Sequence, residues 1–111
     1  METFRKGDIV LFPFPYTDLS NRKIRPCLVI SDEMEQDIIL CQITSKMTRA
    51  DQYSIELKKD ETLEGTLQID SLIRTNMLFT ASKFQILKRI CKVTDTKYRE
   101  IINKIIKTIL K

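Results

Sequence analysis

The 111-residue chain has no histidine and no tryptophan, and only two glycines, three prolines and three cysteines. Without histidine the commonest general acid–base side chain is missing, and with it nearly every familiar catalytic triad. The same absence argues against a structural zinc site, since Cys27, Cys41 and Cys91 lie far apart and form no CxxC pair. Two of these cysteines sit inside apolar runs, where a free thiol behaves as a small hydrophobe. An odd, sparse cysteine count points to reduced, buried thiols and a reducing compartment. No apolar run approaches the ~20 residues needed to cross a bilayer. Met1-Glu2-Thr3-Phe4-Arg5-Lys6 leads into Gly7-Asp8 and a short apolar stretch broken by prolines. It lacks the h-region and cleavage site of a signal peptide, so a cytoplasmic protein without a membrane partner is expected.

What is present fits one domain, residues 1–111, with a single modest core. The 42% apolar and 31% charged content is ordinary for a globular domain. Lys and Arg number 19 against 15 Asp and Glu, a net charge of +4. That surplus is compatible with a polyanionic partner, and as compatible with none.

The first two-thirds of the chain reads as short strands. Ile9 to Phe14 is continuously apolar, and Pro13 and Pro15 confine its far end to an edge or a strand exit. Thr17-Asp18-Leu19-Ser20-Asn21 reads as a polar loop. Strands are expected at Arg25–Ser31 and Asp37–Thr44, with a turn at Asp32–Gln36 between them. Tyr53, Ile55 and Leu57 alternate with polar residues, the mark of a half-buried strand. Gly65 should open another, with Leu67 and Ile69 on one face, and shorter apolar pieces follow at Leu78-Phe79 and Ile86-Leu87. From Asp95 the period changes. Tyr98, Ile101, Ile102, Ile105, Ile106, Ile109 and Leu110 form one apolar helical stripe. Thr94 or Asp95 supplies the N-cap oxygen, while Lys97, Arg99, Lys104 and Lys107 take the other faces. Several short strands followed by one helix predict a small barrel or curled sheet with the helix packed against it.

The strands at 25–31 and 37–44 should pair antiparallel, with facing residue numbers summing to about 68 or 69; the smaller sum turns Thr44 away, and the larger gives the pairs that follow. Arg25 then faces Thr44, Cys27 faces Gln42 and Val29 faces Leu40. The other face of the ribbon carries Leu28, Ile30, Ile39, Cys41 and Ile43, an apolar set suited to the core. Arg25 and Thr44 meet at the open end of the hairpin on the more polar face. Pro26 pushes Arg25 into extended backbone where loop becomes strand.

These residues carry a family resemblance. The run from Gly7 to Ser20 (Gly-Asp-Ile-Val-Leu-Phe-Pro-Phe-Pro-Tyr-Thr-Asp-Leu-Ser) and Lys23 to Ser31 (Lys-Ile-Arg-Pro-Cys-Leu-Val-Ile-Ser) closely resembles the N-terminal signature of MazF/PemK toxins. Ile43-Thr44-Ser45 resembles their second motif and Ile73-Arg74-Thr75 their third. The resemblance covers most of the chain. It implies an α+β, mainly β fold, an SH3-like β-barrel with a C-terminal helix, usually as a homodimer. It implies a sequence-specific endoribonuclease that cuts single-stranded RNA without metal or other cofactor, held inactive by an acidic antitoxin. By position, Arg25 matches the family's catalytic arginine and Thr44 its catalytic threonine.

The chemistry so implied is attack of the RNA 2′-hydroxyl on the adjacent phosphate. Arg25 would stabilise charge on the phosphoryl oxygens and Thr44 would hydrogen-bond them or orient the nucleophile. Arginine stays protonated in proteins, so it is not assigned as the base. Some relatives use a histidine or an aspartate after the Arg-Thr motif; here Asn76 and Met77 follow Arg74-Thr75, and Asp18 is left as the candidate base. Thr17, Ser20, Asn21, Lys23, Ser45, Lys46 and Arg74 are expected to line an RNA groove. Lys23 and Lys46 would meet phosphates, Ser20 and Asn21 would read base edges, and Tyr16 or Phe14 would stack on a base, with a buried role the first expectation for Phe14. Two rivals stand beside this reading. One is a non-catalytic relative acting by protein binding, although gyrase-poisoning toxins use a C-terminal tryptophan and this chain ends Ile109-Leu110-Lys111. The other is a decayed toxin that only binds antitoxin or RNA.

Overall fold

The computed structural model describes residues 3–15 and 22–111. Among these residues seven strands precede one α-helix: β1 (Asp8–Pro15), β2 (Arg22–Val29), β3 (Asp37–Thr44), β4 (Ser54–Leu57), β5 (Thr62–Leu63), β6 (Ser71–Ser82), β7 (Lys88–Val93) and α1 (Asp95–Ile109). All strand pairs are antiparallel, in one curled sheet of order β4-β6-β3-β2-β1-β7-β5. The mainly β fold with one C-terminal helix is the class expected from the sequence. Two register shifts break the ladders, between Ile9 and Val10 against β7 and between Cys41 and Ile43 against β6. Such irregularities bend a strand and raise its twist, which is how an open sheet curls.

The β2–β3 register is that of the larger sum: Cys27 opposes Gln42, Leu28 opposes Cys41 and Val29 opposes Leu40. The turn between them works through Ser31, whose hydroxyl accepts from the Ile39 N–H at 3.0 Å, and through Glu35, which adopts a φ of 60°. Two expectations about this ribbon need correction. The strand β2 runs from Arg22 to Val29 rather than from Arg25 to Ser31. And its second face is not polar, because Cys27, Val29 and Leu40 are as fully buried as Leu28 and Cys41. The curl gives the sheet two apolar faces. One cluster holds Ile9, Leu28, Cys41, Ile43, Leu57 and Ile73 beneath α1; the other gathers Phe4, Val10, Phe12, Cys27, Val29, Ile38 and Leu40.

The strand expected from Gly65 is absent. Residues 64–70 form an irregular strap between β5 and β6, in which Leu67 is buried while Ile69 is exposed. Gly65 has a φ of +136°, and a Cβ there would stand 2.2 Å from the Ile90 carbonyl oxygen, so the residue is a point of backbone contact rather than a strand opening. Leu78-Phe79 belongs to the twelve-residue β6, which pairs with β3 along most of its length and with β4 at its start. Ile86-Leu87 lies outside any strand.

Helix α1 begins where the period changed. Thr94 is the N-cap, its hydroxyl accepting from the Lys97 N–H at 3.1 Å. Ile101 and Ile105 are buried against the larger cluster, and the Tyr98 hydroxyl donates to the Ile30 carbonyl at 2.5 Å. The far end of the stripe, Ile106, Ile109 and Leu110, is exposed. Among the described residues, no helix is long and apolar enough to cross a membrane.

Candidate functional site

A groove of about 440 Å³ opens at one end of the larger core. Its apolar floor comes from Leu11 of β1, Pro26 of β2, Ile43 of β3, Leu67 of the strap and Ile90 of β7. Ile43 and Leu67 are also members of the buried cluster, so the floor is the exposed edge of the core. Around it stand Lys23 and Arg25 from β2, Thr44 from the end of β3, Ser45 and Lys46 just beyond, and Lys88 at the start of β7. The strap supplies Thr66, Gln68 and Ile69 on the remaining side.

Arg25 and Thr44 therefore line one groove, though not as a ladder pair. The described β2–β3 register ends at Cys27–Gln42; beyond the shift in β3, Thr44 pairs with Leu72 of β6, and Arg25 pairs with Phe12 of β1. The β2–β3 ladder thus ends just before the expected meeting point, beside the register shift that β3 makes against β6. Thr44 is 6% exposed, and its Oγ1 accepts from the Lys46 N–H at 3.2 Å. That bond uses a lone pair and leaves the hydroxyl proton to be donated elsewhere. Arg25 is half-buried, and its charge partly offsets the burial that pushes the Cys27 thiol up to about 12. Burial likewise pushes Cys41 up to about 12, so both thiols are protonated at neutral pH and serve as core atoms.

Electrostatically the groove is one-sided. Lys23, Arg25, Lys46 and Lys88 converge on it, and no carboxylate is among its described lining residues. None of the four forms an ion pair with a described carboxylate; the pairs that do form engage Arg74, Lys83, Arg89, Lys92 and Lys97. A concave surface of one sign with an apolar floor attracts polyanions. Among the described residues, no three Cys, Asp or Glu side chains gather as a metal-binding group.

Of the other residues expected at the site, Lys23, Ser45 and Lys46 do line the groove. Arg74 does not: it sits on β6 opposite Ser54, with its guanidinium 3.6 Å from the Asp51 carboxylate and its Nε buried without a partner. Its neighbour Thr75 is buried, donating to the Tyr53 carbonyl at 2.5 Å. Phe14 packs with Phe12 and Phe79 at ring separations of 5.2 and 5.5 Å, away from the groove. Tyr16, Thr17, Asp18, Ser20 and Asn21 lie outside the described residues. Sequence reasoning missed Lys88 and Gln68. Lys88 carries no motif and reaches the groove only because β7 pairs with β1, Lys88 opposite Leu11. Gln68 was hidden inside a segment misread as a strand.

The family model of the PemK-like, MazF-like toxins of type II toxin–antitoxin systems matches residues 5–109. The chain belongs to this toxin family. Solved structures of the same fold include MazF from Deinococcus radiodurans, at 14% identity and a TM-score of 0.74 with 100% of each chain covered. The MazE–MazF complex of that organism aligns at 15% identity and 0.71, covering 98% of this chain and 97% of that one. The Mycobacterium tuberculosis toxin MazF-mt6 aligns at 14% identity and 0.71, covering 92% and 95%. No curated protein gives a significant match to the sequence. For this toxin family member, the cationic groove is the feature on which the fold converges: five strands, the strap and the segment after β3 contribute to it.

Proposed function

We propose that the chain is an endoribonuclease toxin that cuts single-stranded RNA in this groove, using Arg25 and Thr44 and no bound metal. The observation that carries the reading is the meeting of Arg25, Thr44 and three lysines over an apolar floor, without a described carboxylate among them. The lysines neutralise backbone phosphates, and the shallow floor accommodates unpaired bases, which duplex RNA does not present. The ribose 2′-oxygen attacks the adjacent phosphorus, forming a 2′,3′-cyclic phosphate as the bond to the 5′-oxygen breaks. The guanidinium of Arg25 stabilises the negative charge that develops on the phosphoryl oxygens, and the Thr44 hydroxyl donates its free proton to one of them. The 2′-hydroxyl proton goes to a base, a role assigned to Asp18, and the leaving 5′-oxygen takes a proton from water to become a hydroxyl. Deoxyribose has no such nucleophile, so DNA is not cut.

The same charge gives the toxin its antagonist. An acidic antitoxin segment competes with RNA for the four cations, and the protein works as a homodimer. The MazE–MazF complexes among its structural neighbours are consistent with such a partner.

The test is incubation with a long single-stranded RNA in excess chelator. The parent is expected to cut at defined sites leaving 5′-hydroxyl ends. Arg25→Ala should slow cutting by roughly 100-fold or more; Thr44→Val should be similarly impaired, whereas Thr44→Ser, which keeps the hydroxyl, should retain most of the rate. Equal cutting by parent and Arg25→Ala, or cutting only when metal is restored, rejects the mechanism.

A further inference from the structure

Phosphate-neutralising lysines fix a nucleic acid in place without reading its sequence. A sequence-specific groove therefore needs uncharged hydrogen-bonding groups that are free to face a base. Five such side chains lie among the described lining: Thr44, Ser45, Thr66, Gln68 and Ser71. Two are committed inside the protein. The Thr66 hydroxyl donates to the carbonyl of Lys59, and the buried Ser71 hydroxyl donates to the Ile69 carbonyl at 3.0 Å. Thr44 belongs to the reacting centre proposed above.

Of the remaining two, Gln68 is the one that offers a donor and an acceptor side by side in a plane, the pattern that pairs with a base edge. It is exposed, and its amide has no hydrogen-bond partner among the described residues. Next to it Ile69 is 56% exposed and, like Ile24 on β2, places an apolar side chain at the rim of the groove. A planar hydrogen-bonding amide beside an aliphatic face is what an unpaired base requires: edge contacts and a surface to lie against.

The strap is also held firmly enough to discriminate. Glu64 accepts from Arg89 at 2.7 Å and lies 3.2 Å from the Lys92 ammonium, tying the strap to β7. Gly65 rests directly on the Ile90 backbone and its carbonyl accepts from the Thr62 hydroxyl at 2.8 Å. At the other end, Asp70 accepts from the Lys59 N–H at 2.8 Å. Preorganised groups discriminate because a wrong partner cannot be accommodated by rearrangement.

We infer that the strap between β5 and β6 is the base-reading element of the groove, in which Gln68 hydrogen-bonds the edge of one unpaired RNA base while Ile69 packs on its face. The inference rests on the RNA-groove reading and adds to it the residue that sets specificity at one position. The experiment uses a random-sequence single-stranded RNA pool with the full-length parent, Gln68→Ala and Ser45→Ala. New 5′-hydroxyl ends are sequenced, and molecules retained on a filter by each protein are sequenced in parallel. Gln68→Ala should lose the base preference at a single position, with the rate at the parent's favoured site falling roughly 10- to 100-fold. Preferences elsewhere and the melting temperature should stay as in the parent, since the side chain is exposed.

An unchanged preference in Gln68→Ala, its loss in Ser45→Ala instead, or a uniform collapse at every position overturns the assignment. A parent that retains RNA with no sequence bias also overturns it while leaving the groove reading intact. A parent that retains biased RNA without cutting it rejects the nuclease reading alone, and the filter-bound sequences still decide Gln68. A parent that retains no RNA rejects both.

Discussion

Gly65 shows how one residue sets a wall of the site. Its φ of +136° lies where side chains are rarely tolerated, and the Ile90 carbonyl occupies the space a methyl group would need. Backbone strain and a displaced carbonyl each cost about 1–3 kcal/mol. Gly65→Ala is therefore expected to lose at least about 2 kcal/mol of stability, measured by urea unfolding. A urea unfolding curve superimposable on the parent's would show that the strap is not pinned at this point. Arg25 and Thr44 illustrate the complementary case. Neither is strained; their value lies in position, one half-buried beside Pro26 and the other nearly buried with a backbone amide already bonded to its oxygen.

At the scale of elements, β6 and α1 do most of the organising. Twelve residues long, β6 runs from Ser71 at the groove to Ser82 at the far side of the molecule, pairing with β3 and β4. Helix α1 closes the larger cluster with Ile101 and Ile105, and the rest of its stripe grades into solvent. The apolar stripe thus overstates what the helix buries. Ile101→Ala should cost roughly 2–5 kcal/mol because it empties a fully enclosed site. Ile109→Ala, at a residue 67% exposed, should change stability by less than about 0.5 kcal/mol. Chemical denaturation of the two variants side by side checks the contrast, and equal losses would mean that the helix packs differently.

For the whole molecule, ion pairs join parts distant in sequence. Glu33 accepts from Lys83 at 2.8 Å and from the Phe4 N–H at 2.7 Å, joining the β2–β3 turn to the turn after β6 and to the N-terminal segment. These bonds, that to Lys83 foremost, hold its carboxyl below the usual range; bonds from Arg89 and then Lys92 do the same for Glu64. A carboxyl with a lower pKa folded than unfolded stabilises fully above the unfolded value, about 4.3 for glutamate. That contribution disappears as pH falls through the lowered folded value. Melting temperature should accordingly drop as pH is taken from 6 towards 3, and less steeply in a Glu33→Gln, Glu64→Gln double variant. Parallel profiles for the two proteins would mean that these bonds do not contribute.

The amino-acid sequence alone determined what depends on neighbours along the chain. Alternation and turn residues placed β3 at Asp37–Thr44, narrowed the β2–β3 register to two neighbouring choices and marked the helix from Asp95, because these patterns repeat over two to four residues. Arg25 and Thr44 were picked out by resemblance to a family signature, which is also carried by short runs of neighbouring residues. Tertiary structure decided the rest: that Cys27, Val29 and Leu40 face a second core, that Arg74 turns to Asp51, and that Lys88 and Gln68 join the groove. Those outcomes follow from how far the sheet curls, which is fixed by two register shifts and by pairings between strands far apart in sequence. A local pattern says which side chains share a face. It carries no record of which distant strand that face will meet.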